Sequence, residues 1–175
     1  VSAKQAGSGL AVRVRPASEA DLDAIRAIYN EGIADRVATL DDEAKSESDI
    51  RAWWVNHAEP HAVRVATTLG ERIVGWASLN RFSHRCAHAE IADLSVYVAR
   101  DSRGRGVGTA LLREIERAGL RNGFHKIVLH ALARNQAGKA LYERCGFRMV
   151  GVLREHGKLD TEYLDVIVME KILAR

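Results

Sequence analysis

The sequence predicts a single α/β domain with a central mixed sheet and helices on both faces, and three observations predict it. Its 175 residues sit near the size of one domain, enough to bury roughly 70% of the unfolded surface. The hydrophobic period switches repeatedly between the 2 of a strand and the 3.6 of a helix, in the order β, α, α, β, β, β, α, β, α, β, β. No internal repeat or low-complexity block interrupts that order.

Residues 1–9 are small and polar without periodicity and read as a flexible tail, leaving 10–175 as the domain. Residues 10–16 alternate Leu10, Val12 and Val14 against Arg13 and Arg15 and stop at Pro16, which predicts a strand. Ser18 and Asp21 form a capping-type pair for a helix carrying Leu22, Ile25, Ile28, Tyr29 and Ile33. From 35 to 48 the pattern dissolves into polar residues, as in a loop over a site, and 49–57 recovers a short helix. Its Trp53 and Trp54 are expected to pack the core or the loop rather than form a binding cage. Residues 61–68 and 72–80 alternate around Leu69-Gly70-Glu71, a β-hairpin whose second strand should show Ile73, Gly75 and Ala77 on one face and Val74, Trp76 and Ser78 on the other. After a connector at 81–87, residues 89–98 form a long strand through Ile91, Leu94, Val96 and Val98. Leu111, Leu112, Ile115 and Leu120 then mark a helix that stops at Asn122-Gly123. Residues 126–132 are a strand, Asn135 caps a helix through Ala137, Ala140, Leu141 and Tyr142 that closes at Gly146, and 147–153 and 163–171 are the last two strands.

Composition narrows the function. The 26 Lys and Arg against 23 Asp and Glu leave a charge of +3, too weak and too evenly spread for a nucleic-acid groove. No run of about 18 apolar residues and no apolar leader core occurs, which predicts a cytoplasmic protein without a membrane partner. The two cysteines, Cys86 and Cys145, lie outside any CxxC or ligand-spaced histidine pair, so neither a metal nor a disulfide framework is expected.

The chemistry concentrates at 103–109, Arg-Gly-Arg-Gly-Val-Gly-Thr, between a strand and a helix. Gly104, Gly106 and Gly108 let the backbone turn and approach a ligand closely, while Arg103 and Arg105 add charge beside the helix's free N–H groups. That combination suits a phosphate. A Walker loop would need a lysine before Thr109, and a Rossmann fingerprint would need G-x-G-x-x-G after the first strand, so neither fits.

Taken with Asn135 and the run Ala140-Leu141-Tyr142-Glu143-Arg144-Cys145-Gly146-Phe147, the loop resembles the acyl-CoA-binding half of the GNAT acetyltransferase superfamily. Tyr29-Asn30, Leu94 to Val98 and Tyr163-Leu164-Asp165-Val166 are similar to its phosphinothricin, methionine sulfoximine and L-amino-acid branch. The resemblance implies a splayed GNAT sheet, acetyl-CoA as cosubstrate without a metal, and a homodimer. It implies that the main chain of Arg103, Gly104, Arg105, Gly106, Val107, Gly108 and Thr109 holds the CoA pyrophosphate, that Val96, Tyr97 and Val98 pair with pantetheine, and that Asn135 touches the cofactor. Freed N–H groups beside that strand would polarise the thioester carbonyl.

Transfer to an amine by direct attack needs a proton acceptor for the ammonium and a proton donor for the leaving thiolate. By register with the family's Glu, Asp93 is the candidate base, one methylene shorter and in need of a bridging water; Glu90 is the other candidate, on the opposite strand face. Tyr142 stands at the superfamily's general-acid tyrosine, where the phosphinothricin enzymes resemble His. Tyr29 and Asn30, with Arg81 and Arg85 as cations for a carboxylate or phosphinate, are the acceptor candidates, and His84, His88 and His156 could line the same cleft. The branch's Lys-x-Gly-x-Trp signature is largely missing over residues 159–163. The expected function is acetylation of a small amino-acid-like amine; a protein N-terminal acetyltransferase and a non-catalytic acyl-CoA-binding module are the alternatives.

Overall fold

The computed structural model describes residues 9–57 and 59–173, so the expected flexible tail lies outside the described residues except for Gly9. The elements are β1 (Val12–Pro16), α1 (Leu22–Ala34), α2 (Glu47–Asn56), β2 (Val63–Thr68), β3 (Ile73–Arg81), β4 (Ile91–Val98), α3 (Val107–Arg121), β5 (Lys126–Leu132), α4 (Gln136–Arg144), β6 (Arg148–Leu159) and β7 (Glu162–Ile172), in the predicted order. Together the strands form one seven-stranded sheet ordered β1-β2-β3-β4-β5-β7-β6. All neighbours are antiparallel except β4 and β5.

That parallel pair positions the site. β4 and β5 pair only at Ile91 with Lys126, Ala92 with Ile127 and Asp93 with Val128. Past Asp93 the strands part: β4 continues against β3 as far as Val98 opposite Gly75, and β5 continues against β7. On its β5 side the β4 edge from Leu94 to Val98 therefore has no strand beside it among the described residues, and backbone groups on such an edge need another partner. This is the splay the family resemblance implies.

The two helical layers cover opposite faces. Leu111, Leu112 and Ile115 of α3 are fully buried against Ala77, Leu79, Ala92, Leu94, Ile127 and Leu129, each worth about 1.5–3 kcal/mol relative to exposure. On the other face Ile25 and Ile28 of α1 and Ile50 of α2 pack on Val63, Val65 and Trp76, with Trp53 and Trp54 against this cluster as expected. α3 stops at Gly123, φ 85°, the left-handed residue the Asn-Gly pair predicts. Cys86 and Cys145 are free thiols.

Several elements depart from the expectation. Strict alternation puts Val74 with Trp76, but the β2–β3 register passes from Ala66–Gly75 to Thr67–Ile73, so Val74 is a bulge. Ile73 accordingly packs with Trp76, and Val74 joins Ala77 and Leu79 under α3. The expected strand at 147–153 runs on to Leu159, with a register shift between Leu153 and Gly157 and Glu155 at φ 49°. Arg154, Glu155 and His156 are exposed there, so no apolar alternation marks the strand. α2 starts earlier than expected because Ser46 and Asp49 form its capping box, Ser46 Oγ accepting from the Asp49 N–H at 3.2 Å.

The entry to α1 is held by Asp21, 4% exposed, whose carboxylate accepts from two Arg15 nitrogens at 2.7 and 2.8 Å and from the Ser18 N–H at 2.8 Å. The hydrogen bonds from Arg15 outweigh burial and hold its pKa below the ordinary 3.8. A depressed carboxylate stabilises the fold above its unfolded pKa and loses that contribution as pH falls through the folded one. Asp21→Asn should lower the unfolding free energy by about 2–3 kcal/mol at neutral pH, the scale of hydrogen bonds to a charged group. Urea titrations should show the difference from the parent shrinking as pH falls below 3.8.

Candidate active site

The split between β4 and β5 opens into a cleft of about 440 Å³. Val96, Tyr97 and Val98 line it from β4, Arg103, Gly104, Gly106, Gly108 and Thr109 from the loop, Asn135, Leu141 and Tyr142 from α4, and Val37 and Ala38 from the segment after α1. Of the residues that the resemblance assigns to the cofactor, all but Arg105 and Val107 line this one cleft; Val107 is buried in the core.

Gly104 and Gly106 have φ of 70° and 91°, and a Cβ at either would meet nothing within 4 Å. Glycine is demanded there by backbone conformation rather than by crowding, which accounts for Gly104. No side chain caps α3, and the first bond back to the loop runs from the Ala110 N–H to the Gly106 carbonyl at 3.1 Å. The N–H groups of Val107, Gly108 and Thr109 therefore stand at the positive end of a helix without an intrahelical acceptor, a seat for an anion. Gly108 has a different reason: its Cβ would lie 2.7 Å from Leu141, so glycine lets α3 and α4 close together beneath the cleft.

Arg103 lines the cleft with part of its guanidinium already engaged within the protein. Its Nε donates to the Val98 carbonyl at 3.0 Å and its guanidinium holds Asp35 at 2.5 Å, a carboxylate that also binds Arg100 at 2.6 Å. Burial works to raise the Asp35 pKa, but the hydrogen bonds from Arg100 and Arg103 prevail and lower it. Arg105 is exposed, and its carbonyl accepts from the Leu10 N–H at 2.9 Å.

Asn135 caps α4 through Oδ1 on the Gly138 N–H at 2.9 Å and also lines the cleft. Tyr142 is 8% exposed, edge-on to Phe147. Burial, with the Tyr97 and Asp93 charges adding, pushes its phenol pKa up, so it keeps its proton.

On the sheet's other face lies a cavity of about 360 Å³ walled by Tyr29, Trp53, Trp76 and Tyr97, with Ser78, Asn80, Ser95, Lys45 and Asp49 as polar lining. Tyr97 borders both spaces. It stacks on Trp76 at 4.9 Å and meets Tyr29 edge-on at 4.7 Å, and its ring lies against α1 where a Cβ on Gly32 would come within 3.1 Å. The Tyr29 hydroxyl donates to Asp41, and burial first, then that bond, pushes its pKa up to about 12.

Asp93 lies on the strand face of Ser95 and Tyr97 at the last β4–β5 pair. Its Oδ1 is 3.2 Å from Nδ1 of His130 on β5. Hydrogen bonding to Asp93 raises the His130 pKa above the ordinary 6.5 against the effect of burial.

Other candidates fall elsewhere. Glu90 is exposed just ahead of β4, its carbonyl accepting from His125 and Lys126; like Asp93 and His130 it is not among the residues that line either cavity. Asn30 is a clamp: Nδ2 donates to the Lys45 carbonyl at 3.0 Å and Oδ1 accepts from the Lys45 N–H at 2.8 Å. Arg81 and Arg85 line a separate cleft of about 690 Å³ with His84 and His88, which shares only Trp53 and Asn80 with the aromatic-walled cavity. His156 is exposed on β6. Sequence reasoning missed Lys45, which sits in a patternless loop, and Trp53, which packs the core and also lines the cavity. It missed His130 too, although a single polar residue within the otherwise apolar run 127–132 was a signal. Among the described residues no three His, Cys, Asp or Glu side chains are grouped to hold a metal ion, and no helix is long and apolar enough to cross a membrane.

A phosphate seat at a helix start, beside an unpaired strand edge at a split sheet, is the architecture of an acyl-CoA-dependent transferase. Residues 24–147 match the Acetyltransferase (GNAT) family, and the chain belongs to it. The phosphinothricin N-acetyltransferase of Streptomyces coelicolor is 33% identical over 165 residues, 93% of this chain and 96% of the relative. The solved ribosomal-protein-alanine N-acetyltransferase from Brucella melitensis has a TM-score of 0.88 at 33% identity, covering 92% of this chain and 99% of that one. A phosphinothricin acetyltransferase from Sinorhizobium meliloti in complex with AcCoA also scores 0.88, at 26% identity over 93% of this chain and 89% of that one. The protein is an acetyl-CoA-dependent N-acetyltransferase of the GNAT family, similar to its phosphinothricin branch.

Proposed function

We propose that the enzyme acetylates the primary amine of a small amino-acid-like acceptor of the phosphinothricin or methionine sulfoximine type. The observation that carries this reading is the aromatic-walled cavity of about 360 Å³, bordered by Tyr97 against the donor cleft. Its size and mixed lining suit a single amino acid: Tyr29, Trp53 and Trp76 for the apolar body, Lys45 for a carboxylate or phosphinate. Lys45, already beside Asp41 at 3.1 Å, takes the part expected of Arg81 and Arg85.

In this reading the loop's N–H groups hold the CoA pyrophosphate and the bare β4 edge pairs with pantetheine as an added strand. The thioester then lies at the split, where unpaired N–H groups stabilise the oxyanion. The neutral amine attacks the thioester carbon from the Ser95 side, the C–N bond forms, the C–S bond breaks, and Tyr142 gives its proton to the sulfur.

An acceptor with a longer tail is the second reading. It is favoured by the cleft of about 690 Å³ that shares Trp53 and Asn80 with this cavity, and by the protein-acetylating name of the Brucella relative. Acetyl-CoA-dependent thiol release should be measured with phosphinothricin, methionine sulfoximine, free amino acids and an alanine-initiated peptide. The small amines should exceed the peptide in kcat/KM by at least about tenfold, the scale of a few well-filled contacts. A peptide preference overturns the proposal.

A further inference from the structure

We propose that His130 takes the proton from the acceptor's ammonium, and that Asp93, to which family register assigns that role, positions it. The inference rests on the acceptor amine entering on the Ser95 and Tyr97 side of the split. Asp93 is one methylene shorter than the Glu it replaces, which leaves a gap that a bridging water would have to fill. In the structure an imidazole stands beside that carboxylate instead, Nδ1 being 3.2 Å from Oδ1. With Nδ1–H donating to the carboxylate, the tautomer is set and Nε2 keeps its lone pair for an incoming proton.

The strand geometry supports the assignment. Pairing between β4 and β5 ends at Asp93 and Val128. His130 is the next β5 residue on that face, level with Ser95, which borders the acceptor-side cavity. Ile127, Val128, Leu129, Ala131 and Leu132 around it are buried, whereas His130 is exposed, so packing does not call for an imidazole there. Asp93 is the charged partner that acts on it. The other charges on its face, Lys126 and Arg148, are both paired with Glu170 of β7.

The step balances. One N–H proton of the ammonium passes to Nε2 and the freed lone pair attacks the thioester carbon. Collapse breaks the C–S bond, and the sulfur leaves with the bonding pair and takes the Tyr142 proton. The second N–H proton restores the phenol through water, the imidazolium proton goes to solvent, and one proton is released per thiol formed.

The test uses the whole protein with acetyl-CoA and whichever amine of the screen above is turned over. His130→Gln should lower kcat by about 100-fold, the usual scale for losing a general base, with KM for acetyl-CoA within about twofold and the acidic limb of the kcat profile lost. Asp93→Asn should lower kcat less and move that limb to lower pH, because the partner that raises the imidazole's pKa is gone. The His130 ring resonance should titrate above 6.5 in the parent and lower in Asp93→Asn. His130→Gln activity within about threefold of the parent overturns the proposal, since a general base is worth far more. So does a deeper loss in Asp93→Asn with the limb intact in His130→Gln. A peptide acceptor in the screen would sink the small-acceptor reading alone, because the variants are then read on that peptide.

Discussion

Gly106→Val should weaken acetyl-CoA binding by at least about 100-fold, equivalent to about 2.7 kcal/mol. Two effects combine. At φ 91° a β-branched residue is strained, and the open space beside Gly106, where a Cβ meets nothing within 4 Å, is the space a pyrophosphate would fill. Hydrogen bonds to a charged group contribute about 1.5–3 kcal/mol each, so displacing the phosphate from one or two N–H groups accounts for the loss. Calorimetric titration with acetyl-CoA measures it, with Gly106→Ala as the milder companion. Affinity within about threefold of the parent, under half of one such bond, would remove the loop from the donor site.

Tyr142→Phe should reduce kcat by about 100- to 1,000-fold, as expected for loss of a general acid. Acetyl-CoA affinity should stay within about twofold, because the ring that packs on Phe147 is retained. The raised phenol pKa keeps the acid form present to higher pH than an ordinary tyrosine would. The parent kcat should therefore show no basic limb from this group up to the ordinary phenol value of 10.0. Stopped-time thiol assays across pH test both statements, and an unchanged kcat in Tyr142→Phe would mean that water protonates the thiolate.

What could be read beforehand follows the range of the interactions. α3 was readable because one face of a single helix is buried, so Leu111, Leu112 and Ile115 recur in phase. The glycine loop was readable because Gly104 and Gly106 answer a local backbone need. The extension of β6 was not, because Arg154, Glu155 and His156 are exposed and carry no alternation. Nor was the Val74 bulge, which the pairing with β2 decides. The chemistry of the candidate site divides in the same way. Arg103 reads as a phosphate ligand, and its hold on Asp35, 68 residues away, shows only in the fold. His130 acquires its meaning only beside Asp93, 37 residues away.

The contact between Gly32 and Tyr97 bears on any attempt to engineer this enzyme. A glycine inside a helix costs about 0.5–1 kcal/mol relative to alanine, so Gly32→Ala in α1 is what a thermostabilisation scheme would select. Yet the added methyl would press within 3.1 Å of the Tyr97 ring, the residue that lines both the cleft and the aromatic-walled cavity. The helix tolerates its weakest residue so that an aromatic wall can sit where it does. Gly32→Ala should therefore gain stability only if the Tyr97 ring can give by a few tenths of an ångström, and a scheme that strengthens α1 does better at positions away from that ring.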